Sequence, residues 1–165
     1  MIAIRPLTSD EVARLEAQPF QHSPKHRDRL ARQQRGDVVY LVAWADDLPV
    51  GHVLLKWDGT TDPPMADVLD ECPDIEDLFV LSDYRQQGIA TQLMENAESL
   101  ARDKGFGQVG LGAGAEVNDI ARQMYERRGY VDAGFGEYVE SGTAFDDAGR
   151  EFRWEAACLY LVKTL

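Results

Sequence analysis

Cysteine is scarce in this 165-residue chain: Cys72 and Cys158 stand alone, forming neither a metal-ligand spacing nor a disulfide framework. That usage fits a reducing cytoplasm and gives no reason to expect a metal. Long apolar runs are missing too, and nothing approaches the ~20 residues that a membrane-spanning helix requires. The start, Met1-Ile2-Ala3-Ile4-Arg5-Pro6, reads as a short strand and not as a signal peptide, because no long apolar stretch follows a basic start. Basic residues are outnumbered, 17 Lys and Arg against 29 Asp and Glu, for a net charge of −12. A general nucleic-acid binder is thereby disfavoured, since phosphate contacts need clustered Lys and Arg. No repeat and no break in composition divides the chain, which predicts one domain over residues 1–165.

What is present is the composition of a globular protein, 44% hydrophobic and 28% charged. The charge is unevenly placed. Residues 1–36 carry 7 basic and 4 acidic groups, whereas residues 37–83 carry 1 basic and 12 acidic groups. Residues 84–130 balance at 6 and 6 and are rich in glycine, and residues 131–165 carry 3 and 7. An acidic segment beside a neutral one suggests a surface that attracts cations next to one that tolerates an anion. Solubility alone is the plainer reading of the same pattern.

The residue pattern predicts a strand at Ile2 and Ile4, then a helix opened by Thr8, Ser9, Asp10 and Glu11 and ended before Pro19. A second helix follows over 24–35, stopped by Gly36. Its basic residues, Lys25, His26, Arg27, Arg29, Arg32 and Arg35, form a solvated face or, alternatively, touch an anionic ligand. Residues 38–44 and 48–55 make an antiparallel hairpin. Residues 58–75, with three prolines and many aspartates, read as a long acidic loop. A buried strand over 75–81 leads into a long helix over 89–104, with Leu93, Ala97, Leu100 and Ala101 on one face. A short strand at 109–111, a helix from Asn118 to Arg128, a strand beginning at Tyr130, a polar loop around 141–150 and a last strand over 152–162 complete the order.

The run that carries chemistry is Leu78-Phe79-Val80-Leu81-Ser82-Asp83-Tyr84-Arg85-Gln86-Gln87-Gly88-Ile89-Ala90-Thr91. A strand ends, a turn with one glycine follows, and a long helix begins at once. Unpaired backbone N–H groups at such a helix start form a site for phosphate. No Gly-Lys-Ser/Thr follows, and the glycine triplet of a dinucleotide site is missing. Arg85, Gly88 and Ala90 match Arg/Gln-x-x-Gly-x-Gly/Ala, and in this the chain resembles the GNAT acetyltransferase superfamily. Further on, Asn118, Ala121, Tyr125, Gly129 and Tyr130 match that family's Asn-x-x-Ala-x-x-x-Tyr-x-x-x-Gly-Phe/Tyr helix. The resemblance implies an α/β fold with a mixed, mostly antiparallel central sheet, splayed in the middle and flanked by about four helices.

The resemblance also implies acetyl-CoA as co-substrate, with the amides of residues 86–91 on its pyrophosphate. Leu78, Phe79 and Val80 would pair with the pantetheine arm along a strand edge, opened by a bulge near Phe79 and Val80. Asn118 would contact the pantetheine or simply cap its helix. Tyr125 is the candidate general acid that protonates the departing thiolate, or else a core tyrosine against Met124 or Leu93. The general base is expected at Glu76, possible also at Asp77; strand alternation sends the two to opposite faces. A branch of the family that acetylates protein N-termini carries a carboxylate five positions before the helix Asn. Ala113 stands there, although Glu116 is close. That departure speaks against a protein N-terminus, and the acid-rich segment 37–83, expected to flank the acceptor cleft, makes a small cationic amine the expected acceptor, with a catalytically silent CoA-binding module or a protein lysine or N-terminal acetyltransferase as alternatives. The long last strand and an exposed sheet edge suit a homodimer.

Overall fold

The computed structural model describes residues 1–18, 24–146 and 148–165. Pro19, expected to stop the first helix, lies outside them. The chain forms β1 (Ile2–Pro6), α1 (Val12–Glu16), α2 (Lys25–Gln34), β2 (Val38–Ala45), β3 (Leu48–Lys56), α3 (Met65–Val68) and β4 (Asp74–Val80). After a short 3-10 turn, Ser82–Tyr84, come α4 (Ile89–Asp103), β5 (Gln108–Gly114), α5 (Ile120–Arg127), β6 (Val131–Asp132), β7 (Tyr138–Phe145) and β8 (Glu151–Thr164). The eight strands make one mixed sheet in the order β1-β2-β3-β4-β5-β8-β6, with β7 paired to β8. Among the described residues, five helices flank it.

Alternation along β2 explains the layering. Tyr40, Val42 and Trp44 face a core shared with Leu7, Val12 and Leu15, under α1. Leu41 and Ala43 point the other way, into the core built on Leu93, Met94, Ala97 and Ala101 of α4. With both faces covered, β2 and β3 are almost uniformly apolar. Glu98, also buried on α4, accepts hydrogen bonds from Arg128 at 2.8 Å, the Tyr130 hydroxyl at 2.7 Å and Lys163 at 3.0 Å. It thereby ties α4 to the end of α5 and to β8.

The sheet splays between β4 and β5. These strands are parallel and share a single pairing, Asp74 with Gly110, whereas β5 and β8 pair along seven positions. Beyond Asp74 a gap opens, and α5 packs beside it.

Four expectations are corrected. The long loop over 58–75 contains α3, whose Met65 is fully buried; four residues are too few to leave a periodic signal. The polar loop around 141–150 is mostly β7, paired with β8 from Tyr138↔Cys158 to Phe145↔Glu151; Asp147 lies outside the described residues. The cap of α5 is Asp119, which accepts from the Arg122 N–H at 2.8 Å, and not Asn118. The bulge in β4 sits at Asp77 and Leu78 instead of Phe79 and Val80: Leu54 pairs with Glu76 and His52 with Phe79, so two residues face Val53.

Candidate active site

A cavity of about 530 Å³ lies where β4 and β5 part. Its walls come from α2 (Lys25, Arg29), β4 (Asp74 through Leu78), β5 (Gly112), α5 (Tyr125), the β7–β8 hairpin and Asp62. The hairpin that sequence reading took for a loop roofs this cavity with Thr143, Phe145 and Trp154.

The bulge decides what faces inward. Asp77 adopts φ +53, a left-handed conformation that aspartate tolerates better than most residues. It breaks the alternation, so Glu76 and Asp77 both line the cavity, contrary to the expectation of opposite faces. Asp77 accepts from Arg29 at 2.7 Å and Lys25 at 3.1 Å, and its carbonyl meets His52 Nδ1 at 3.0 Å. Burial works against the Asp77 charge, but His52, Arg29 and Lys25 override it and hold its carboxyl below the usual range. His52, sealed between Tyr40 and Phe79, is pushed down to about 4 by burial. Arg29 also lies over the Tyr40 ring, 5.0 Å from its centroid. The basic face of α2 is thus partly a cavity wall, a role that helical periodicity could not assign.

Glu76 pairs with Lys56 at 2.8 Å. Burial opposes its charge, yet a hydrogen bond from Asp74 and the Lys56 ammonium lower its affinity for a proton. Asp74 is raised by burial and by Glu76, and it accepts the Tyr160 hydroxyl at 2.8 Å. Of the two, Asp74 therefore has the higher affinity for a proton.

Tyr125 is the buried residue of α5 and opens on the cavity. Its ring meets Tyr130 edge-on at 5.9 Å. Burial, with the charges of Asp119, Asp77 and Glu140, pushes its phenol up to about 12, so it keeps its proton at neutral pH. Of the other residues expected at the site, Leu78 lines the cavity, Phe79 stacks on His52, and Val80 is buried in the core. Asn118 is exposed and stands outside the cavity walls.

At the far side of β4, Arg85 folds back so that its Nε donates to the Val80 carbonyl at 2.9 Å. Gln86 and Gly88 both have positive φ, +62 and +81, which turns the chain sharply into α4. The first intrahelical bond runs from the Gln92 N–H to the Gly88 carbonyl at 3.0 Å. The N–H groups of Gln86, Gln87, Gly88, Ile89, Ala90 and Thr91 accordingly have no backbone partner among the described residues. No acidic side chain occupies the first turn of α4. The result is a row of free donors at the positive end of a 15-residue helix, suited to a phosphate.

Residues 8–130 match the Acetyltransferase (GNAT) family. The chain belongs to the GNAT acetyltransferase family. No curated protein matches its sequence. Solved structures resemble this GNAT protein over their whole length. PaiA N-acetyltransferase from Thermoplasma acidophilum, in complex with coenzyme A, superposes with a TM-score of 0.66 at 16% identity, covering 100% of this chain and 99% of that one. A GNAT family acetyltransferase from Elizabethkingia anophelis with acetyl-CoA bound gives 0.62 at 17%, covering 99% and 98%. Ribosomal-protein-alanine N-acetyltransferase from Brucella melitensis gives 0.66 at 20%, covering 99% of each chain. At these identities the likeness is one of fold. Among the described residues, no group of three or more His, Cys, Asp or Glu could hold a metal ion, and no helix is long and apolar enough to cross a membrane.

Proposed function

We propose that residues 1–165 act as one domain that transfers an acetyl group from acetyl-CoA to the nitrogen of a small primary amine. The observation that carries this reading is the placement of the Tyr125 phenol in the same cavity as Glu76 and Asp77, at the gap between β4 and β5. CoA would enter that gap from the α4 side. Its pyrophosphate would rest on the N–H groups of residues 86–91, with the pantetheine arm along Leu78, Phe79 and Val80. Arg85 would act by fixing the Val80 carbonyl. Asn118, on the exposed turn before α5, would meet the pantetheine only at its outer side.

In the ternary complex the amine attacks the thioester carbonyl directly. Tyr125, protonated at neutral pH, supplies the proton to the departing sulfur. Glu76, held ionised by Lys56 and Asp74, is poorly suited to take up a proton and better suited to hold the acceptor's ammonium. Five acids and three bases line the cavity, an excess of negative charge that favours a cationic acceptor. The roof made by β7 and β8 favours a small acceptor over a protein chain.

Free-thiol release from acetyl-CoA, measured across a panel of diamines, aminoglycosides and amino-acid amines, tests the reading. Tyr125→Phe is expected to lower turnover by about 100-fold or more with little change in acetyl-CoA affinity. Unchanged turnover in that variant would remove Tyr125 from the mechanism, and a silent panel would leave a CoA-binding module.

A further inference from the structure

We propose that Glu140, on the β7 hairpin strand, is the base that takes the proton from the acceptor's ammonium. The inference rests on the acyltransfer reading above and completes it.

Every acid on the β4 wall already has a strong partner. Asp77 is held by Lys25 and Arg29, Glu76 by Lys56, and Asp74 by Tyr160. Glu140 lines the same cavity, yet it makes no ion pair among the described residues. It accepts the Tyr138 hydroxyl at 2.8 Å, and the Cys158 thiol lies beside it. Its position depends on β5. A Cβ at Gly112 would collide with Glu140 Oε1 and with the Tyr138 hydroxyl, so the missing side chain there leaves a slot for this carboxylate. Gly112 is itself a cavity wall, on the strand that borders the gap. The carboxylate is thereby held over the gap, on the side where the phenol of α5 also opens.

Off the β4 wall, Asp62 is the other cavity acid with no ion pair among the described residues, and it is in contact with Thr60. Glu140, unlike Asp62, is among the charges that act on the Tyr125 phenol, which sets it nearer the reacting centre. Burial, reinforced by the charges of Asp62 and Glu76, raises the Glu140 affinity for a proton against the opposing Tyr138 hydrogen bond. Asp62, Glu76, Tyr125, Tyr138 and Cys158 are the titratable groups that face it.

The step balances. Glu140 removes one proton from R–NH3+, and the freed lone pair forms the N–C bond to the thioester carbonyl. The C–S bond then breaks, its electron pair stays on sulfur, and Tyr125 protonates the thiolate. The second N–H proton restores the Tyr125 phenol as the amide forms. The proton on Glu140 passes to solvent, so one proton is released for each amide made.

The test compares wild type with Glu140→Gln, using the panel amine that wild type turns over fastest. At about pH 7, where an alkylamine is charged, kcat/KM should fall by about 100-fold or more. By about pH 10 the amine is largely free, and the deficit should shrink toward parity. Melting temperature should be no lower than in wild type, and the rise produced by acetyl-CoA should persist, which reports an intact fold and donor site. Equal activity at pH 7, or a deficit that stays constant with pH, overturns the assignment and leaves the acyltransfer reading standing. If wild type releases no thiol with any amine, the acyltransfer reading fails and the assignment falls with it.

Discussion

At the scale of single residues, Asp77 and Glu140, two of the cavity acids, have their proton affinities shifted in opposite directions, with opposite consequences for stability. Asp77 is held below the ordinary carboxylate value by Arg29, Lys25 and His52. Its ionised form therefore stabilises the fold above about pH 4, and that contribution is lost as pH falls toward the lower folded value. Asp77→Asn keeps the left-handed backbone acceptable and removes only the charge. Because the side chain is 34% exposed, the effect is modest. A melting temperature lower by about 2–4 °C at neutral pH is expected, closing below about pH 4, as thermal denaturation between those values will check. Glu140 is raised instead. Its ionisation opposes folding as pH rises, so Glu140→Gln should melt slightly higher than wild type near pH 7, while doing less chemistry.

At the scale of elements, the start of α4 is open to a direct test. Gly88 sits at φ +81, and a Cβ there would meet no atom within 4 Å. Gly88→Ala therefore costs about 1 kcal/mol through backbone conformation alone and leaves the fold intact. Acetyl-CoA binding, followed by calorimetry, should weaken several-fold, because the amides of residues 86–91 shift relative to one another, while the KM for the amine changes little. The same elements divide by how far they could be read in advance. β2, β3 and α4 were legible because their apolar residues recur with the period of a strand or helix, and the turn through Arg85 and Gly88 because it is a local pattern. The bulge was not, since alternation presumes a regular strand and Asp77 carries no glycine to mark the irregularity. β7 was missed because Ser141, Gly142 and Thr143 resemble a loop until β8 is paired alongside them. Asn118 and Asp119 are both good caps, and only the hydrogen bond to Arg122 distinguishes them.

At the scale of the whole molecule, the uneven charge of the sequence acquires a spatial meaning. The basic segment at residues 1–36 packs against the acidic segment at 37–83, with Lys25 and Arg29 neutralising Asp77. The acid counted in the sequence is thus partly consumed inside the protein, and the excess left for a ligand is smaller than the tally suggests. The family could be read from two motifs. The cavity could not, because its wall is assembled from α2, β4, β5, α5 and a distant hairpin. Ligand binding across the gap should also stabilise the protein as a unit. Acetyl-CoA at about 100 times its dissociation constant is expected to add about 2.7 kcal/mol, a melting shift of several degrees; no shift in scanning fluorimetry at millimolar ligand would count heavily against donor binding. The extra residue at Asp77 has one more consequence. The two sides of a strand are set by odd and even position, and the insertion changes that parity half-way along β4. One strand is thereby divided into two independently numbered halves. Glu76 and Asp77, adjacent in sequence, thereby reach the same cavity, which an unbroken alternation would have denied to one of them.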